Sequence, residues 1–426
     1  LSSRLTEIFK QHKQGKAVGV YSVCSANNYV LAAAMHHART RKSPLLIEST
    51  SNQVDQFGGY SGMTPAEFVE YVKQIAVLNG FPFERIVLGG DHLGPNVWQK
   101  LKTDRAMHNA ENQITAYVRA GYKKIHLDTS MALGDDKPGH LNVKIVAERA
   151  ARLCAVAEAA AENADNLYVI GSDVPIPGGA RDNLDELTVS PVSEIANTLL
   201  EIKKAFFNCG LQEAWERVLA VVVQPGVEFS DSGTVWYDHD KAKALSHYIE
   251  SVPKMVYEAH STDYQKSVGL KQMVQDHFAI LKVGPWLTFA LREALFALEL
   301  IEKEWLGFKK GINLSCLQET VLLKMAEQPA HWMDHYHGNK QDVTFASKYS
   351  KSDRIRYYWG QPEVKKAIAR LIENLKTRPA PYGVLNQFLP LQTEKIIDGR
   401  LTNDPHGIIT DKITEVLNKY SIAVEA

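Results

Sequence analysis

Cysteine is scarce: four in 426 residues, at positions 24, 154, 209 and 316, with no Cys-x-x-Cys pair among them. That excludes a disulfide framework, leaves a structural zinc cluster or thioredoxin-like motif unsupported, and points to a reduced, cytoplasmic compartment. An excess of one charge is lacking too. Lys+Arg at 48 against Asp+Glu at 49 leaves a formal net charge of −1, without the basic surplus of a nucleic-acid binder. Long apolar runs are missing. The most apolar stretch, 288–301, carries Arg292, Glu293 and Glu299 and is too charged to span a membrane. The opening segment Leu1–Phe9 reads as a short amphipathic stretch and not as a signal peptide. There is no Gly-x-x-x-x-Gly-Lys-Ser/Thr loop, no Gly-x-Gly-x-x-Gly and no Gly-x-Ser-x-Gly. Nucleotide, dinucleotide and serine-hydrolase sites therefore have no sequence support.

What is there is ordinary globular composition, 45% hydrophobic and 23% charged, arranged in one recurring pattern. Eight short apolar runs end in polar residues: 17–22, 45–48, 86–89, 124–128, 167–171, 219–224, 255–260 and 279–283. They alternate little, as strands buried on both faces do. Helical patterns lie between them, the clearest beginning with Thr64 as N-cap and Pro65 in the first turn. Eight strands alternating with helices predict an α/β protein, a (β/α)8 barrel over residues 1–305 that includes a short N-terminal helix. Residues 306–426 break the pattern and predict a mostly helical C-terminal appendage, with an irregular stretch over 331–359 and a linker at 378–381.

Active sites of such barrels lie at the C-terminal strand ends. Reading those ends collects Glu48, Asp91 and His92, His126 and Asp128, Asp173, Gln224, Glu258 and His260, and Lys282. Alternation puts His126 with Asp128, and Glu258 with His260, on one face of their strands. Carboxylates and imidazoles converging in a low-dielectric cavity repel unless a cation joins them. Mixed nitrogen and oxygen donors suit zinc, manganese, cobalt or iron. Lys282 on the last strand has the placement of a Schiff-base lysine but no obvious desolvated setting. Gly58-Gly59-Tyr60 offers backbone amides for a phosphate or sugar. Ser352, Arg354 and Arg356 carry hydroxyl and guanidinium groups that suit a phosphate. His331, His335 and His337 have metal-like spacing without surrounding carboxylates, and read as a surface helix.

The segments that carry these residues also carry a resemblance. Ile47-Glu-Ser-Thr-Ser-Asn-Gln-Val-Asp-Gln-Phe-Gly-Gly-Tyr, Gly89-Gly-Asp-His-Leu-Gly-Pro-Asn, His126-Leu-Asp, Val223-Gln-Pro-Gly-Val-Glu-Phe, Glu258-Ala-His-Ser-Thr-Asp-Tyr-Gln and Ser352-Asp-Arg-Ile-Arg-Tyr-Tyr-Trp resemble the Z-type subunit of D-tagatose-1,6-bisphosphate aldolase. This is a family of galactitol and N-acetylgalactosamine catabolism. The resemblance runs through essentially the whole chain. It implies a barrel related to class II aldolases and a ketohexose phosphate substrate. Two roles are implied: a 4-epimerase between D-tagatose 6-phosphate and D-fructose 6-phosphate, or a non-catalytic partner of a class II aldolase subunit. A third label attached to such proteins, tagatose-6-phosphate kinase, conflicts with the missing phosphate loop.

By resemblance Asp91 is the acid/base and His92 a ligand of a divalent metal, zinc first, with His260 the second ligand and Asp128 or Glu258 the third. Glu48, Asp173 and Glu258 are then left for proton transfer or hydroxyl binding. Lys282, Ser352, Arg354 and Arg356 would hold phosphate, with Gly58, Gly59, Tyr60, His126 and Gln224 lining the sugar. One departure stands out: Gly171-Ser-Asp-Val-Pro where the family pattern has Gly-Thr-Glu-Val-Pro, so Asp173 is one methylene short. A homo-oligomer fits the resemblance as well as a monomer does.

Overall fold

In the computed structural model, residues 2–41, 43–137, 141–171 and 187–425 are described. Eight parallel strands close into a barrel: β1 (Val20–Val23), β2 (Leu45–Thr50), β3 (Ile86–Leu93), β4 (Lys124–Leu127), β5 (Leu167–Ile170), β6 (Val218–Val222), β7 (Val256–Ala259) and β8 (Phe278–Val283). Each pairs with its sequence neighbour, and β1 closes on β8 with Ser22 opposite Lys282. This is the expected (β/α)8 barrel, each strand within a few residues of its apolar run.

α1 (Ser2–Lys13) precedes the barrel. α2 (Asn28–Ala38), α3 (Pro65–Leu78), α4 (Thr103–Arg119), α5 (Val143–Ala160) and α6 (Val192–Asn208) follow the first five strands. A short α7 (Gln212–Trp215) leads into β6, and α8 (His239–Glu250), α9 (Ser267–Gln275) and α10 (Pro285–Leu306) complete the ring. The start of α3 is a capping box. Glu67 donates its backbone N–H to Thr64 Oγ1, the Glu67 carboxylate accepts from the Thr64 N–H at 2.8 Å, and Pro65 fills the first turn.

The barrel interior changes character along its axis. At the N-terminal end Val20, Leu46, Val87, Val169, Ala220, Val256 and Ile280 form a separate apolar cluster, stoppered by Leu5 and Phe9 of α1. Above that layer the inward positions become charged, and the site begins there.

The C-terminal region is helical: α11 (Leu317–Glu327), α12 (Lys340–Tyr349), α13 (Pro362–Thr377), α14 (Tyr382–Phe388), α15 (Pro390–Ile397) and α16 (Pro405–Val424). Two expectations change here. The stretch 331–359 is only partly irregular, because Asn339 and Asp342 form a capping box that starts α12. His331 closes a 3-10 turn (Pro329–His331) instead of lying on a surface helix. It stacks on Tyr357 with ring centroids 4.6 Å apart. The linker at 378–381 leads directly into α14, with Pro381 as its N-cap. α16 packs on α2, α9 and α10. The Gly19 N–H donates to Val424 O at 2.9 Å, tying the chain end to the strand that opens the barrel. Among the described residues no helix is long and apolar enough to cross a membrane.

Candidate active site

Above the apolar layer, β2 and β4 turn Glu48 and Lys124 inward, and β7 and β8 add Glu258 and Lys282. Room for Glu48 comes from Gly89, its partner across the β2–β3 register. A Cβ on Gly89 would lie 2.7 Å from Glu48 Cγ. The ammonium of Lys124 sits 2.7 Å from Glu48 Oε1 and 2.6 Å from Glu258 Oε2, at 1% exposure. Lys282 pairs with Glu48 and lies 2.9 Å from Asp91 Oδ1. Burial works against its charge, yet Asp91, Cys24, Glu48 and Glu258 around it hold Lys282 well above the ordinary lysine range. This corrects one part of the expectation for Lys282, the lack of a desolvated setting, and agrees with setting the Schiff-base role aside. Its setting is fully desolvated, and it is held protonated, so it is no Schiff-base nucleophile.

Asp91 and His92 are consecutive and should face opposite sides of β3. Both line the same cavity because the β3–β4 register shifts between Gly90 and Leu93, and His92 adopts a left-handed backbone with φ of 51°. A bulge with a strained residue re-aims a side chain in this way.

Three imidazoles then meet, with centroid separations of 5.2 Å for His92–His126, 4.7 Å for His92–His260 and 5.3 Å for His126–His260. His92 and His260 each have one nitrogen committed to a carboxylate, while His126 Nδ1 also accepts from the His92 backbone N–H at 3.2 Å. His92 Nδ1 donates to Asp128 Oδ2 at 2.8 Å, His260 Nε2 donates to Glu258 Oε1 at 3.0 Å, and His126 Nδ1 lies 3.0 Å from Asp91 Oδ1. An ionised carboxylate only accepts, so the proton of His92 sits on Nδ1 and that of His260 on Nε2. The other nitrogens face one another: His92 Nε2 is 3.1 Å from His260 Nδ1, and His126 Nε2 is buried without a hydrogen-bond partner. Two facing lone pairs at that distance require a proton or a cation.

The electrostatics match. Burial lowers His260 to about 4, so it is neutral at pH 7. Burial also acts on His92, but Asp91 and Asp128 overcome it and raise that ring. Burial of Asp91 is outweighed by Lys282 and then His92, which hold its carboxyl well below the usual range. Burial of Glu258 is likewise outweighed by Lys124 and Lys282. Four buried carboxylates (Glu48, Asp91, Asp128, Glu258) face two ammonium groups. Donor atoms of Asp91, His126, Glu258 and His260 all lie within 4.8 Å of one another. The surplus negative charge, the orphaned His126 nitrogen and the mixed donor set fit a divalent cation.

The other expected residues divide. Asp128 does not reach into this donor group. It orients His92 and accepts from Asn96 at 2.6 Å and from the Ser130 hydroxyl at 2.7 Å. Of the expected trio of His92, Asp128 and His260, His260 belongs to that donor group, and His92 stands beside it with Nε2 3.1 Å from His260 Nδ1. Gln224 turns into its own loop, where Oε1 accepts from the Gly226 and Val227 N–H groups. Gly58 and Gly59 form a turn around Asp55, whose Oδ1 accepts from the Gly59 N–H at 3.0 Å, while Tyr60 lines the cavity. Asp173 lies outside the described residues.

The cavity, about 410 Å³, runs from Asp91, His92, His260 and Lys282 on the barrel floor to Tyr60, Arg356, Tyr357, Trp359 and Lys365 on its outer wall. The C-terminal region therefore folds back over the barrel mouth. Arg356 is anchored by the Ser352 and Asp353 carbonyls and donates to the Tyr357 hydroxyl at 2.9 Å. Arg354 stands behind this wall and does not line the cavity: Nη2 is 2.9 Å from His335 Nδ1 and Nη1 donates to the Tyr357 hydroxyl at 3.4 Å. The Ser352 hydroxyl donates to Asp231 Oδ1 at 3.0 Å and pins the strap to the loop after β6.

Two residues here escaped sequence reasoning. Lys124 had a readable signal, since it shares the alternating face of His126 and Asp128. Asp263, which lines the cavity and is 3% exposed, stands beyond the end of β7 in irregular backbone, and its one signal was its place in the segment 258–265 that carries the resemblance.

From residue 5 to residue 425 the chain matches the model of one family, described as D-tagatose-1,6-bisphosphate aldolase subunit GatZ/KbaZ-like. The chain belongs to this family. A crystal structure of a probable tagatose 6 phosphate kinase from Sinorhizobium meliloti 1021 is 41% identical, with a TM-score of 0.87 over 95% of this chain and 100% of that one. More distant likenesses, each 12% identical, are to the YdjI aldolase of Escherichia coli K12 and a fructose-bisphosphate aldolase of Campylobacter jejuni. The first has a TM-score of 0.43 over 84% of this chain and 98% of that one; the second, 0.48 over 90% and 94%. Family membership makes the function one related to tagatose-bisphosphate aldolase.

Proposed function

We propose that this chain is a metal-dependent enzyme acting on a ketohexose 6-phosphate, inverting C4 between D-tagatose 6-phosphate and D-fructose 6-phosphate by carbon–carbon cleavage and re-addition. One observation carries the reading: of three clustered imidazoles, His92 and His260 line the floor of a cavity whose outer wall presents a fixed guanidinium. A structural subunit has no physical need for that pairing of a cation floor and an anion wall.

His92, His126 and His260 would hold the cation, with Asp91 and Glu258 as the carboxylates in reach. When bound, the cation supplies Lewis acidity toward a ketone and its neighbouring hydroxyl. The chain's own residues do the rest. Arg356 and Lys365 bind the phosphate at the outer wall. Lys282, protonated between Glu48 and Asp91, places positive charge beside the oxygen on which charge develops. Asp91, expected as the base, is pinned between Lys282 and His126. A carboxyl held that far down accepts a proton poorly, and suits the cation better. Cleavage gives a three-carbon enediolate and glyceraldehyde 3-phosphate. Re-addition to the opposite face of the aldehyde inverts C4, and release of the aldehyde is aldolase chemistry.

The test is an assay of pure protein loaded with zinc or manganese, with tagatose 6-phosphate as substrate and fructose 6-phosphate as readout. The family description as an aldolase subunit favours a second reading, a partner that supports a class II aldolase. Metal-loaded protein that is inert alone, yet raises the activity of such an aldolase, selects that reading.

A further inference from the structure

The carboxylates around the cation floor share one property. Glu48 and Glu258 are bridged by Lys124, Asp91 is held by Lys282 and His126, and Asp128 is held by His92. None is free to take a proton without breaking an ion pair. Asp263 differs. It lines the same cavity and is almost fully buried, but no side chain among the described residues hydrogen-bonds to it. Its Oδ1 accepts from the backbone N–H groups of Gly284, at 3.0 Å, and Trp286, at 2.8 Å, where β8 passes into α10.

The loop that carries Asp263 is strained and over-determined. Ser261 and Tyr264 on either side adopt left-handed backbone, with φ of 53° and 65°. Between them the Thr262 hydroxyl donates to Lys282 O, and Tyr420 of α16 donates to Thr262 O at 2.7 Å. Strain held in place by anchors from two other elements marks a side chain that must be presented in one direction.

We propose that Asp263 is the proton-transfer group of the reaction, taking the proton of the C4 hydroxyl as the C3–C4 bond breaks. The electron pair of that bond passes to C3 and on to the C2 carbonyl oxygen, and C4 becomes an aldehyde. The proton stays on the carboxyl until the bond re-forms, and it then returns to the substrate, so no oxidant or reductant is needed. Burial, only partly offset by the two backbone donors, raises this carboxyl to about 6, close to where a general base works best. The inference rests on the reading of the site as a ketohexose-phosphate enzyme.

Asp263→Asn is the clean variant. Asparagine keeps the oxygen that accepts from Gly284 and Trp286 and loses only the basic oxygen. In metal-loaded protein with tagatose 6-phosphate, kcat should fall about 10²–10⁴-fold, with KM and stoichiometric metal content unchanged. In Asp263→Ala, added formate should restore part of the lost rate. A kcat within a few-fold of wild type, a rise in KM alone, or loss of the metal would overturn the assignment. Wild-type protein inert toward ketohexose 6-phosphates in both epimerisation and cleavage would instead fail the reading of the site, and the inference with it. An active wild type beside an equally active Asp263→Asn fails the inference alone.

Discussion

At the scale of single residues, the site depends on carboxylates that act through imidazoles. Asp128 fixes the tautomer and direction of His92 without lining the cavity that His92 lines. Replacing it by asparagine lets the ring turn and lowers its basicity. Metal affinity of Asp128→Asn should fall about 10–100-fold, read by competition with a chelating dye. The two arginines of the strap separate in the same way. Arg356→Ala should weaken tagatose 6-phosphate binding by on the order of 2–5 kcal/mol and leave unphosphorylated tagatose unaffected. Arg354→Ala, behind the cavity wall between His335 and Tyr357, should change both sugars alike or neither. Calorimetric titration of both variants with both sugars checks this. Equal loss of the two sugars in Arg356→Ala would remove the phosphate from that wall.

At the scale of elements, the decisive feature is the end of β3. Gly90-Asp91-His92-Leu93 breaks register with β4 so that two consecutive side chains reach one cavity. Gly94 makes the break possible, because a Cβ there would lie 1.8 Å from the Asp128 carbonyl oxygen. Backbone cannot yield as a flexible side chain can. Gly94→Ala should therefore push β3 from β4 beneath His92 and Asp128, costing on the order of 1–3 kcal/mol. It should impair metal binding as well as the urea midpoint. A variant with unchanged midpoint and metal content would mean that the close approach is not required. The bulge also bears on legibility. Asp91 and His92 were readable as site residues from their place after an apolar run. Their sharing of a face contradicts plain alternation and became visible only with the shifted register.

At the scale of the whole molecule, two buried histidines tie the chain ends to the barrel. His12 of α1 has Nδ1 2.6 Å from Val18 O and Nε2 2.9 Å from His277 Nδ1. His37 of α2 reaches the Tyr21 hydroxyl and Asn418 of α16. Burial lowers both from 6.5 to about 4. The unfolded chain binds protons that the fold refuses, so this stability is complete above pH 6.5 and is lost as pH falls through 4. For His12 the loss is on the order of 3 kcal/mol. Urea midpoints measured from pH 7 to 4 should drop steeply, and His12→Gln should flatten part of that slope. A slope unchanged by the substitution would place the acid lability elsewhere.

The sequence by itself determined the period of each element, the closure of eight strand–helix units into a barrel, and the strand ends where chemistry collects. Those are local properties: apolar runs of strand length, a Thr64–Glu67 cap, polar residues at the close of each run. It also carried Glu48, Asp91, His92, His126, Glu258, His260 and Lys282 to the same end of the barrel. Tertiary structure decided which of those groups touch. Lys282 meets Glu48 across the β1 seam, and Lys124 bridges β2 and β7. Such pairs form only when distant strands are brought side by side, and no local pattern encodes them. The same holds for the choice of Arg356 over Arg354, two residues apart in a single 3-10 turn, and for Asp263, presented by a strained loop anchored by α16 and the start of α10. Local free energies select helix or strand. The direction of a buried charge is selected by the partners that the closed barrel supplies.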